Sequence, residues 1–101
     1  MKIYLTRSGG FTGIPFNVAI DTDQCEEEER NILLSLVEAA QFYSLPEKIL
    51  PAGQGADRFQ YRITVEKPGE SHTVEAGESD IPDSLQPLVS HLTALGRAKR
   101  K

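Results

Sequence analysis

The side chains best suited to catalysis or metal binding are few: one cysteine, Cys25, and two histidines, His72 and His91, in a chain of 101 residues. A zinc site needs several Cys, His or carboxylate ligands that converge, usually with two of them close in sequence. His72 and His91 fall in different elements and Cys25 in a third, so no metal spacing is present, and both histidines read as ordinary surface or half-buried residues. A nucleophilic thiol needs a positive surrounding to hold the thiolate. Cys25 stands instead among Asp21, Asp23 and Glu26 to Glu29, and only a helix N-terminus pulls the other way. No catalytic residue, metal or cofactor is expected.

Glycine clusters are the other chemical signal. Ser8-Gly9-Gly10-Phe11-Thr12-Gly13 invites a phosphate-binding reading, since glycines let backbone amides approach an anion. Phosphate loops, however, run from a strand into a helix N-terminus and carry a Gly-Lys-Ser/Thr ending, whereas this stretch joins two strands. Phe11 is out of place in a turn that needs no large side chain, and it either caps the sheet edge or makes a contact. Gly55-Ala56-Asp57-Arg58-Phe59-Gln60-Tyr61 passes from loop into strand with an acid and a base at the junction. Asp57 there either pairs with Arg58 or has a role of its own.

These segments hang on elements that the apolar pattern predicts. Ile3 and Leu5 alternate with Tyr4 and Thr6, and Ile14, Phe16, Val18 and Ile20 with Pro15, Asn17 and Ala19, which reads as a hairpin. Asp23 and Glu26 have capping-box spacing, and Leu33, Leu36, Val37 and Ala40 form an amphipathic stripe, so a helix is expected from about residue 24 to 42–44. Residues 46–56 read as a long loop. Phe59, Tyr61, Ile63 and Val65 give the cleanest strand, and Lys67-Pro68-Gly69-Glu70 turns it back into another at about 71–76. Leu85, Leu88, Val89, Leu92 and Leu95 mark a last helix from Pro82, preceded by Asp80 and Asp83 as caps and closed by Gly96.

The expected order is β-β-α-β-β-α. The expected fold class is α+β, a two-layer sandwich in which a four-stranded, mainly antiparallel sheet carries both helices on one face. Residues 1–96 form one domain and 97–101 a disordered basic tail. With 39% apolar residues the chain supports a single modest core. It has no apolar run long enough to cross a bilayer and no signal-like N-terminus, so a soluble, unexported protein is expected, with no membrane contact. A lone cysteine fits a reducing compartment.

Arg97, Lys99, Arg100 and Lys101 crowd the C-terminus, and removing them from the 11 basic residues leaves 7 against 15 acidic ones. An acidic body repels a phosphate backbone, which argues against nucleic acid as a partner.

Arg7 to Ile14, Leu36 to Ala40 with Phe42 and Leu45-Pro46, and Gly55 to Tyr61 before His72-Thr73-Val74 together resemble the emfourin family over residues 3 to about 95. These are protein inhibitors of protealysin and related thermolysin-like zinc metallopeptidases. Thr12 stands where a small residue such as alanine is expected, and the basic tail looks like an addition. The resemblance implies a cytoplasmic bacterial protein, not itself an enzyme, that competes for the active-site cleft of such a peptidase. It assigns partner binding to Ser8, Gly9, Gly10, Phe11, Thr12 and Gly13 in the first loop and to Leu50, Gly55, Asp57 and Arg58 in the second. Phe11, Ile49 and Leu50 are the apolar candidates to fill the cleft, and Asp57 or a loop carbonyl the candidate to cover the peptidase's zinc. A monomer is the expected state. The alternative is a small module binding protein or nucleic acid through its open sheet face or its basic tail.

Overall fold

A computed structural model of the chain describes residues 1–9, 16–49, 59–77 and 80–99. The first hairpin forms as its alternation predicts. Strand β1 (Lys2–Gly9) runs antiparallel to β2 (Phe16–Asp21), with Ile3 opposite Ile20 and Leu5 opposite Val18. The apolar set of each strand faces one side because strand side chains alternate.

The chain then makes a 3-10 turn at Thr22–Gln24, capped by Asp21, whose Oδ1 accepts from the Asp23 amide at 3.0 Å. Helix α1 (Glu27–Ala40) therefore starts later than the expected residue 24, and the capping box of Asp23 and Glu26 does not form. Glu26 holds the N-cap position without a side-chain hydrogen bond. Arg30 reaches back instead: its Nε donates to the Thr22 carbonyl at 3.1 Å and its Nη2 to the Cys25 carbonyl at 3.3 Å. Turn and helix are thereby joined. The stripe buries Leu33, Val37 and Ala40, with Leu36 partly buried beside them. Gln41 ends α1 in a left-handed conformation at φ 51°, and a second 3-10 turn, Phe42–Ser44, follows.

The expected long loop over 46–56 is corrected at its start. Lys48–Ile49 form a short strand, β3, which pairs parallel to β5 (Glu70–Gly77), with Ile49 beside Ala76. Two paired residues leave too short a pattern for periodicity to reveal. With β4 at Phe59–Lys67, the order is thus β-β-α-β-β-β-α and the sheet has five strands, β2-β1-β4-β5-β3, mixed rather than four-stranded, with one parallel pair at its edge. Strand β4 (Phe59–Lys67) joins β5 through Pro68 and Gly69. Gly69 takes φ +83°, the conformation that the second central residue of a type II turn requires.

Helix α2 (Gln86–Lys99) starts after a turn in which the Pro82 carbonyl accepts from the Leu85 and Gln86 amides, four residues later than Pro82 itself. It passes through Gly96, expected to close it, and makes residues 97–99 of the basic tail helical. Both helices bury their stripes on the same side of the sheet, so Ile3, Leu5, Ile63, Val65, Val74, Leu33, Leu85, Leu88 and Leu92 share one core. Each such side chain stabilises the fold by about 1.5–3 kcal/mol.

Candidate functional site

The register of the sheet decides where the two odd segments stand. On β1, Arg7 is opposite Phe16 of β2 on one side and Tyr61 of β4 on the other, and Gly9 is opposite Phe59. Gln60 is opposite Gly77, and Ala76 is flanked by Tyr61 and Ile49. Residues 10–15 therefore leave and rejoin the same end of the sheet at which residues 50–58 leave β3 and enter β4. One attachment point of each segment belongs to an inner strand, β1 or β4, and the other to an edge strand, β2 or β3.

Side chains brace this end. The Arg7 guanidinium lies over the Phe16 ring, 5.0 Å from its centroid, and Phe16 is buried against the other side by α2. A cation stacked on a ring in this way contributes about 0.5–2 kcal/mol. Nothing in the sequence pattern singled out this pair, because only the strand register brings Arg7 and Phe16 face to face. On the opposite sheet surface Ser8 stands exposed beside Gln60 and Arg62, in a hollow of about 310 Å³ also lined by Thr6, Tyr61 and Glu75.

Of the expected contact residues, Ser8 and Gly9 are thus placed at this end, Gly9 by its backbone. Gly10, Phe11, Thr12, Gly13, Leu50, Gly55, Asp57 and Arg58 lie outside the described residues. Ile49, a candidate to fill a cleft, is instead half-buried and packs against the core.

Residues with chemical potential are spent on the fold. His72 Nε2 donates to the Leu45 carbonyl at 2.6 Å, and its ring meets Phe42 edge-on at 5.6 Å. His91 Nε2 donates to Glu29 Oε2 at 2.6 Å and links the two helices. The Cys25 thiol donates to the Asp21 carbonyl at 3.4 Å. Ser71 and His72 point to opposite faces of β5, so adjacency in sequence makes no Ser-His pair. Among the described residues, no three His, Cys, Asp or Glu side chains gather where they could hold a metal ion.

The open sheet face pairs its polar groups across the strands. Thr6 donates to Asn17 at 3.0 Å, the Thr64 and Thr73 hydroxyls meet at 2.9 Å, and Arg62 bonds Glu75 through Nε at 3.1 Å and Nη2 at 3.0 Å. Such a face presents self-satisfied pairs instead of an apolar patch for a partner.

The sequence profile named Emfourin matches residues 5–93. The chain belongs to the emfourin family. Emfourins are protein inhibitors of metallopeptidases, and the match runs from β1 into α2, so it takes in both segments at the braced end of the sheet. No match is found among the curated proteins or among the solved structures. No helix of the described residues is long and apolar enough to cross a membrane.

Proposed function

We propose that this emfourin is a competitive inhibitor of a protealysin-like, thermolysin-like zinc metallopeptidase in the bacterial cytoplasm. In this reading the segments 8–13 and 50–58 enter the active-site cleft, and Phe11 or Leu50 fills the apolar subsite beside the scissile position. Asp57 or a loop carbonyl stands over the peptidase's zinc, for which an oxygen ligand suffices. The inhibitor supplies no metal of its own and acts as a monomer.

The observation that carries the reading is the pairing of Gly9 with Phe59, which brings the two family motifs to one end of the sheet. A cleft inhibitor gains affinity when its contact segments are held by a rigid support, because ordering them on binding costs free energy. Strands β1 and β4, each paired on both sides, anchor one end of each segment.

The test is titration of the purified protein into a protealysin-like peptidase, with a serine peptidase alongside. The expected result is loss of metallopeptidase activity at near one-to-one stoichiometry, relieved by competing substrate, with the serine peptidase unaffected. Full activity of several thermolysin-like enzymes in the presence of excess protein would remove the proposal.

A further inference from the structure

The two segments hang on four strand ends that are not equally secure. The first lies between β1 and β2, and β2 pairs with β1 along all six of its residues. The second enters β4, an inner strand, but it leaves from β3, two residues long at the sheet edge. Before β3, the last backbone bond to β5 among the described residues is that of the Glu75 amide to the Glu47 carbonyl at 2.7 Å. Pro46 has no N–H with which to carry the ladder further, and it keeps Leu45 extended, at φ -76° and ψ 147°. A side chain takes the Leu45 carbonyl instead: His72 Nε2 donates to it at 2.6 Å.

His72 is itself held. It stands on β5 opposite Val65, half-buried, with its ring edge-on to the buried Phe42 ring at 5.6 Å and tilted against Tyr43 at 6.2 Å. Phe42 and Tyr43 belong to the 3-10 turn that leads to Leu45. The ring is thus fixed between sheet and turn, and its N–H fastens the chain just before β3. The clasp joins Leu45-Pro46 to His72-Thr73-Val74, two stretches to which the contact segments assign no role.

We propose that His72 is a positioning residue for inhibition: by clasping Leu45 to β5 it fixes the β3 end of segment 50–58, so that the segment meets the peptidase anchored at both ends. The proposal rests on the inhibitor reading above. Affinity falls when a contact segment must be ordered on binding, and a segment anchored at one end has more freedom to lose. Without the His72 N–H the Leu45 carbonyl loses its partner, and a two-residue strand is left to resist fraying. β4 still holds the other end, so the loss is partial and confined to the second segment. The role requires no contact between His72 and the peptidase, because it acts through residues 45–49.

The experiment uses His72→Phe, which keeps a ring and removes the donor, and His72→Gln, which keeps an N–H donor of similar reach. Amide exchange of the isolated protein reads the clasp directly. In His72→Phe the Glu75 amide is expected to exchange at least about fivefold faster than in the parent, with a smaller change at Ile63 on the inner strand β4. Inhibition constants against a protealysin-like peptidase read the consequence, at a temperature where circular dichroism shows every variant folded. His72→Phe is expected to weaken inhibition about fivefold or more, and His72→Gln to recover most of the loss. The weakening should persist alongside Phe11→Ala and vanish where Leu50→Ala and Asp57→Ala are both present. His91→Ala, which cuts the contact between α1 and α2, should leave the inhibition constant at the parental value. A folded His72→Phe protein with the parental constant overturns the proposal, as does a His72→Gln protein no better than His72→Phe, or a loss of the same size in both backgrounds. Unchanged exchange at Glu75 overturns the clasp without reference to any peptidase. If the parent protein inhibits, these failures leave the inhibitor reading standing; if it does not inhibit, both readings fall.

Discussion

Gly96 rests on the ring edge of Phe16, so closely that a Cβ on the glycine would stand 2.6 Å from Cζ, with Val18 Cγ2 at 2.4 Å. Glycine inside a helix normally costs about 1 kcal/mol relative to alanine. Here the same residue lets α2 settle onto β2, and Phe16 is held in turn by Arg7 across the ring. Gly96→Ala is expected to destabilise the protein by about 1–2 kcal/mol despite the better helix propensity, because Val18 is β-branched and buried and cannot swing aside. Urea unfolding measures it. A stability gain from the substitution would mean that the contact yields more easily than the geometry indicates.

That contact also shows how much of the molecule could be read from the chain. The alternation of β1, β2 and β4, the Pro68-Gly69 turn and the stripes of both helices are local patterns, and within the described residues they appear in the structure. What failed depends on partners distant in sequence. Gly96 looked like a helix stop because a glycine after an apolar stripe often is one, and only the approach of β2 explains its place within α2. Asp23 looked like a cap, but the 3-10 turn places Asp21 in that role and Arg30 satisfies the carbonyls of the turn. Strand β3 is two residues long and exists because β5 offers an edge. At the candidate site the two motifs were legible as oddities, whereas the brace of Arg7 on Phe16 was not, since it follows from register alone.

His91 and Glu29 join α2 to α1 through a single 2.6 Å contact, with both side chains roughly three-tenths exposed. Partial exposure limits what such a pair contributes. A double-mutant cycle with His91→Ala and Glu29→Ala is expected to give a coupling of about 0.3–1 kcal/mol in chemical denaturation. Zero coupling would assign the helix pairing to apolar packing alone.

Burial pushes the Tyr43 phenol above its ordinary 10.0; Lys67 opposes the rise and Glu70 adds to it. A phenol whose pKa is higher in the folded state holds its proton longer there than in the unfolded chain. The resulting stability is complete below about pH 10 and is lost as pH rises toward the folded value. Unfolding free energy should therefore fall as pH rises above 10.0, and Tyr43→Phe should flatten part of that slope. An alkaline limb identical in the variant would show that other groups account for it.

Chelation offers a check on the partition of chemistry between inhibitor and target. His72, His91 and Cys25 are each engaged with a group of the fold, at Leu45, Glu29 and Asp21. Excess EDTA is expected to leave the thermal midpoint of the isolated protein unchanged, since a structural metal would couple directly to folding. A lowered midpoint would reveal a ligand set that these three residues do not form.

Phe11 gives the sharpest test of where the inhibitor touches its target. As a contact residue seated in an apolar subsite, it should behave as a hot spot. Phe11→Ala would then weaken inhibition by about 2 kcal/mol or more, roughly 30-fold in the inhibition constant, with little change in thermal midpoint. As a cap over the sheet edge, the same substitution would lower the midpoint and leave the affinity of the folded molecules nearly intact. Asp57→Ala extends the comparison to the second motif, with Arg58→Ala beside it to separate a direct role of the carboxylate from one exerted through an Asp-Arg pair. Measuring all three at about 500 mM salt screens long-range charge effects and isolates the two segments. If none of the three weakens inhibition under those conditions, the contact surface lies elsewhere, and the shared sheet end of the two motifs serves the fold instead of the target.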